Sequence, residues 1–132
     1  MDFREVAART IAGFRASGGH VGRPVLLLHT VGARTALPRV TPVVYLRDAD
    51  RYLIFASRAG ADRHPDWYYN LIACPLARIE VDGQVLDVRA DELHGAERDR
   101  WFTEQARLNP QFADYQAKTD RIIPVLALTP AG

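Results

Sequence analysis

LLLHTVGARTALPRVTPVVY, residues 26–45, is the stretch on which the fold turns. Two apolar runs, VLLLHTV at 25–31 and VVYL at 43–46, flank GARTALPRVTP at 32–42. That middle holds two arginines, two prolines, two threonines and a glycine. Its eleven residues exceed what a plain hairpin loop needs, about two to five. The apolar flanks read as strands, Pro24 to Val31 and residues 39–46, with Pro42 marking an edge or a bulge. The basic, hydroxyl-rich middle reads as a loop with a task of its own.

Working outward, the strand signals continue. RDAD at 47–50 turns the chain into RYLIFAS at 51–57. ARIEV (77–81) and QVLDVRA (84–90) are joined by Asp82-Gly83, a strong two-residue hairpin signal. RIIPVLALT at 121–129 is the last strand. The connections are mostly too short for parallel crossovers, so the sheet is antiparallel. Helical spacing of Phe3, Val6, Ala7, Thr10, Ile11 and Phe14 predicts an N-terminal helix within residues 1–20, capped by Asp2 and stopped by Gly18-Gly19. A short helix follows GADRHPDW, with Pro65 in its first turn, and ends near Pro75. Two more helices are expected, ELHGAERDRWFTEQARLN at 92–109 and PQFADYQAKT at 110–119. The first should set Trp101, Phe102, Gln105 and Leu108 on one side. The whole reads as an α+β domain of about six antiparallel strands, curled into a small barrel with flanking helices, in one unit spanning 1–132.

Composition narrows the function. Of 132 residues, 48% are hydrophobic and 25% charged, the balance of an ordinary globular protein. Seventeen basic residues against sixteen acidic ones leave a formal charge of +1, which speaks against a dedicated nucleic-acid surface. The apolar runs are too short to span a bilayer as helices. Cys74 is the only cysteine and reads as a small buried apolar residue, so a reducing cytoplasm is the expected location, with peripheral contact with a membrane left open. His20, His29, His64 and His94 lack ligand spacing, so no metal site is expected; His29 reads as a core or rim residue.

Two basic loops remain. One carries Arg34, Thr35, Arg39 and Thr41; the other, ASRAGADRHPDWYYN (56–70), carries Ser57, Arg58, Gly60 and Arg63 ahead of a helix start. Arginines, hydroxyls and exposed amides are what an anionic group needs, and they are also what a solvated strand end carries. Composition leaves both readings open. Trp67, Tyr68 and Tyr69 are contiguous, so one helix face cannot bury all three, while Phe112 and Tyr115 share a face. Core packing suits Tyr68 and Trp101; a slot that stacks a flat ring is the alternative for the rest.

Three blocks carry a resemblance. LLLHTVGARTALPRVTPVVY resembles LLLTTTGRKSGKPRVTPL of the deazaflavin (F420)-dependent nitroreductase family; ASRAGADRHPDWYYNLIACP resembles its ASKGGAPKHPAWYHNLKANP; PQFADYQAKTDRIIPVLALTP resembles its PxYAxYQxKTxRxIPVxxLTP. The blocks keep the family's order and spacing over roughly residues 22–130. The resemblance implies an FMN-binding-like split β-barrel. It implies coenzyme F420, whose reduced form passes hydride to a quinone, a nitroaromatic or an activated double bond. By position it implies cofactor contacts at Ala33, Arg34, Thr35, Arg39, Val40, Thr41, Pro42, Val43, Val44, Phe55, Ala56, Ser57, Arg58, Asp66, Trp67, Tyr68, Tyr69, Asn70 and Tyr115. Phe112 and Tyr115 would meet the substrate, Tyr115 as the catalytic proton donor. Ala33 stands where the family has arginine, Arg34 and Arg58 where it has lysine, Ala36 where it has glycine, and Phe112 where it has tyrosine. Two other readings stay open: an FMN-binding flavin reductase on the same fold, and a non-catalytic binder of deazaflavin or a hydrophobic ligand. A homodimer is also open.

Overall fold

VLLLHTV is apolar almost without interruption because both of its faces are covered. In the computed structural model, which describes residues 3–17 and 24–131, this run is strand β1 (Val25–Val31). Leu26 and Leu28 point into a barrel and meet Ile54, Ile79 and Leu126. Val25 and Leu27 point outward and are covered by Phe14 and Ile11 of helix α1 (Phe3–Ala16). The expected cap at Asp2 and stop at Gly18-Gly19 lie outside the described residues.

Five further strands complete the barrel: β2 (Pro38–Asp48), β3 (Arg51–Phe55), β4 (Leu76–Val81), β5 (Gln84–Leu93) and β6 (Val125–Pro130). They close in the order β1-β2-β3-β6-β5-β4, each pair antiparallel. This is the expected antiparallel split barrel. β3 and β6 are buried on both faces, since Leu53, Phe55, Val125 and Ala127 pack outward against Phe102 and Phe112. Those aromatics come from α3 (Gly95–Leu108) and α4 (Gln111–Ala117). β4 and β5 alternate instead, sending Ile79, Val81, Val88 and Ala90 inward and Arg78 and Asp87 to solvent, where they pair at 2.9 Å. The Asp82-Gly83 turn joins them with φ of 50° and 74°, as a two-residue hairpin requires.

Several local expectations shift. The connection between β1 and β2 spans only residues 32–37, closed by Gly32 N–H on the Leu37 carbonyl (2.8 Å) and Ala36 N–H on Gly32 (2.9 Å). The rest of GARTALPRVTP already belongs to β2. Pro65 is the cap residue of α2 (Asp66–Ala73) rather than part of its first turn. Glu92 and Leu93 end β5 instead of opening α3. Cys74 is exposed, not buried: α2 stops at Ala73, and the thiol reaches the Leu76 carbonyl at 3.6 Å. On α3, Phe102 and Gln105 face the core, but Leu108 does not. His29 is a rim residue, 2.5 Å from Glu80, which also receives Arg15 and so moors the end of α1 to β4.

Gln105 is the anomaly of the core. It is 1% exposed, and among the described residues neither its Nε2 nor its Oε1 has a protein partner. Unpaired buried polar atoms cost on the order of 1–3 kcal/mol each, and an apolar side chain of the same shape removes that cost. Gln105→Met is therefore expected to raise the unfolding free energy by about 1–3 kcal/mol, measured by denaturant titration. A loss of stability would show that the amide is satisfied in solution.

Candidate functional site

A strand has two hydrogen-bonding edges, and β2 divides one of them. Along Pro38–Val44 it pairs with β1, but it pairs with β3 only from Tyr45 to Asp48. Beyond Val44 and Phe55 the two strands part: the Phe55 carbonyl, which the alternation turns toward β2, takes Ser57 N–H instead (2.9 Å), while Ala56 N–H continues along β6 to the Pro124 carbonyl (2.9 Å). The edge of Pro38–Val44 that faces away from β1 is thereby open. Tyr45 N–H bonds the Pro24 carbonyl (3.1 Å), so odd-numbered β2 residues bond β1 and Val40, Pro42 and Val44 direct their backbone groups to the open edge. Pro42 fits because the amide it lacks would have pointed there.

Opposite this edge the chain makes an unusual turn. Ser57 is right-handed (φ −78°, ψ −41°), and Arg58, Ala59 and Gly60 follow with φ of 46°, 52° and 81°. Left-handed backbone at non-glycine residues costs on the order of 1–3 kcal/mol each. A right-handed residue followed by a left-handed one turns successive amides toward one point, a concavity suited to an anion. The amides of Arg58 and Ala59 have no protein acceptor among the described residues. Gly60 is needed for space as well as φ: a Cβ there would stand 2.7 Å from the Tyr115 carbonyl oxygen.

Edge and turn bound one cleft of about 880 Å³. Thr41, Pro42, Val43 and Val44 form one wall; Ser57, Arg58, Ala59, Ala61, Asp62 and Arg63 form the other. Pro65, Asp66 and Trp67 of the α2 start close one side, with Phe55 and Phe112 at the apolar end. The charged lining residues, Arg58 and Arg63 against Asp62 and Asp66, balance formally. Attraction for an anion therefore rests on aimed amides more than on net charge.

Ten of the residues expected at the site line this cleft: Thr41, Pro42, Val43, Val44, Phe55, Ser57, Arg58, Asp66, Trp67 and Phe112. The others stand off its wall. Arg34, Thr35 and Arg39 are exposed, and Thr35 accepts Leu37 N–H at 3.2 Å. Val40 packs beneath α1, and Ala56 is fully buried. Ala33 N–H is taken by Asn70 Oδ1 (2.9 Å), while Asn70 Nδ2 donates to Thr30 (3.1 Å), so Asn70 ties the 32–37 loop to α2. Tyr68 packs on the barrel core and donates to Glu92 at 2.6 Å; burial, then Glu92, pushes its phenol well above the usual range. Tyr69 is exposed. Tyr115 is half-buried behind Phe112, their rings 5.2 Å apart.

One organising residue escapes sequence reasoning. Arg121 lies between α4 and β6, behind the turn, and donates to the carbonyls of Ala56 (3.0 Å), Ser57 (2.5 Å) and Ala61 (2.7 Å) and to His64 Nδ1 (3.0 Å). Its signal in the sequence was the arginine that the third block shares with the family pattern KTxRxIPV, a match that by itself assigns no role. The need for it arises from carbonyls that turn outward when the amides turn in. Among the described residues no group of three or more His, Cys, Asp or Glu could hold a metal ion, and no helix is long and apolar enough to cross a membrane.

Known proteins share this architecture. The model of the F420H(2)-dependent quinone reductase family matches residues 3–130. A Mycobacterium tuberculosis F420H(2)-dependent quinone reductase is 38% identical over 125 residues, covering 88% of this chain and 84% of its own. The solved structure of an F420-H2 dependent reductase (FDR-A) superposes with a TM-score of 0.73 at 38% identity, covering 83% of this chain and 97% of its own. Another, described as a domain-swapped dimer, gives 0.75 at 35% identity and covers 95% of both chains. The family model over residues 3–130 and a relative 38% identical over most of both chains, together with the shared split barrel, place this chain in the F420H(2)-dependent quinone reductase family, oxidoreductases whose cofactor is coenzyme F420.

Proposed function

We propose that this chain reduces quinones with coenzyme F420, holding the cofactor ring along the open edge of β2 and its phosphate in the 57–60 turn. The observation that carries the reading is the pairing of these two features across one cleft: unpaired backbone groups at Val40–Val44 and unpaired amides at Arg58 and Ala59. A flat heteroaromatic ring needs donors and acceptors at its edge, and a phosphodiester needs converging N–H groups. The residues present fit both needs.

When bound, the reduced deazaflavin supplies hydride. The protein's share is to bind, orient and exclude water. Trp67, Val43 and Phe55 wall the ring with apolar surface. Arg58 adds a charge-assisted donor to the turn's amides. Phe112 gives the acceptor side a dry rim, which favours a flat apolar acceptor such as a quinone over a small nitro compound. The names of the family and of its relatives support the quinone. Tyr115, one helical turn from Phe112 with a hydroxyl that has no protein partner among the described residues, is the proposed proton donor to the acceptor oxygen. The relative described as a domain-swapped dimer supports the same assembly here, which light scattering of the purified chain would test.

Fluorescence titration of the purified chain is expected to show tighter binding of F420 than of FMN; equal or tighter FMN binding would overturn the reading. Arg58→Ala is expected to weaken F420 binding by about 1–3 kcal/mol, the range of a hydrogen bond to a charged group. Tyr115→Phe is expected to leave F420 affinity unchanged and to lower kcat with quinones by about tenfold or more. An unchanged kcat would return Tyr115 to a packing role.

A further inference from the structure

The Arg121 side chain is absent from the cleft lining and lies behind the turn, yet it binds the turn's backbone directly. Its fork takes the carbonyls of Ala56, Ser57 and Ala61. In a trans peptide the carbonyl and the next residue's amide point in opposite directions. Each carbonyl drawn toward Arg121 therefore sends the amide of Ser57, Arg58 or Asp62 the other way. The Ser57 amide is used by the Phe55 carbonyl (2.9 Å); those of Arg58 and Asp62 have no protein acceptor among the described residues, and both residues line the cleft.

The backbone that carries the guanidinium is itself held. Gln116 Nε2 of α4 donates to the Arg121 carbonyl (2.7 Å), Ile123 N–H donates to Gln116 Oε1 (3.1 Å), and Arg98 of α3 grips the Ile123 carbonyl (2.8 Å) and Gln116 Oε1 (2.9 Å). On the other side His64 Nδ1 accepts from Arg121, which requires that nitrogen to carry no proton.

We propose that Arg121 is a positioning residue for anion recognition: its fork draws three carbonyls away from the cleft, so that the amides of Arg58 and Asp62 meet the cofactor's phosphate, and neutral His64 completes the fork. The proposal rests on the F420 reading above. Lysine cannot replace the arginine, because one ammonium cannot fan out to three carbonyls and an imidazole. His64 makes the device sensitive to acid. Around it stand Arg121, the Tyr68 and Tyr69 rings of α2 at 4.4 and 5.7 Å, Glu92 of β5, and Arg58, Asp62 and Arg63 of its own loop. Burial and then Arg121 hold the imidazole below its ordinary value of 6.5, with Glu92 opposing. The neutral, accepting form is complete above that value and is lost as pH falls through the depressed one. A protonated Nδ1 cannot accept, and it would set two cations face to face.

The test compares F420 with the deazaflavin core that lacks phosphate and tail, each titrated by fluorescence into the full chain. Arg121→Lys and Arg121→Gln are expected to lose about tenfold or more in F420 affinity while core affinity stays within about twofold. Equal losses for both ligands would make Arg121 merely structural, and no loss for F420 would remove it from the site. Where these variants fail to fold, the parent and His64→Gln decide, since glutamine still accepts but does not titrate. The parent's F420-to-core affinity ratio is expected to hold level above about pH 6.5 and to fall as pH drops below it, and that of His64→Gln to stay level throughout. A level ratio in the parent, or an equal fall in both proteins, overturns the proposal. A parent that binds the core but not F420 at any pH overturns the F420 reading itself, independently of the variants.

Discussion

β2 cannot satisfy both of its edges along its whole length. It is held to β1 through Val44 and to β3 only from Tyr45 onward, and the seven residues before Tyr45 keep one edge unpaired. An unpaired edge is ordinarily a liability, open to pairing with any other strand. Here it is recessed in a cleft, with the 57–63 segment across from it and α2 and α4 at its flanks. The rest of the structure follows from keeping that edge open and shielded. Helix α1 covers the outer side of β1 and β2, so the edge stays rigid from behind. Pro42 sits where its missing amide costs no ladder bond.

The facing wall is made by strain rather than by charge. Four charged residues line the cleft in formal balance, so selectivity has to come from direction. Three successive left-handed residues aim the amides, and their cost is met by Arg121, Gly60 and the packing of α4. Gly60 rests on the Tyr115 backbone, and Gln116, one residue on, holds the backbone of Arg121. One helix thus supplies the apolar rim through Phe112 and, one turn further on the same side, the support of the 57–61 turn through Tyr115 and Gln116.

Much of this was legible in the residues. The apolar runs of β1, β3 and β6 marked strands, as did ARIEV and QVLDVRA; that the first three are covered on both sides while β4 and β5 keep one face in water is a finding of the fold. Asp82-Gly83 announced its hairpin, and Pro42 an edge. The three ordered blocks located the cleft: Thr41–Val44, Ser57-Arg58 and Trp67 all line it. Other residues misled because their local chemistry suits two roles. Asn70 and the Ala33 amide look like ligand contacts in a list of polar groups, but they satisfy each other. Cys74 looks like a small core residue until the helix is seen to end just before it.

The sequence by itself determined the elements and their antiparallel pairing, because side-chain periodicity and turn chemistry act over a few residues, and its three ordered blocks carried the resemblance to the family. Only the tertiary structure decided which backbone groups are left without partners. That depends on where β2 and β3 separate, which happens where the Phe55 carbonyl turns to Ser57 N–H while Ala56 stays with β6 through Pro124, sixty-eight positions along the chain. It also decided that Arg121 belongs to the site, since a guanidinium reaches three carbonyls sixty or more residues away only after the barrel has closed. Local preference cannot encode contacts whose partners are brought together by the core.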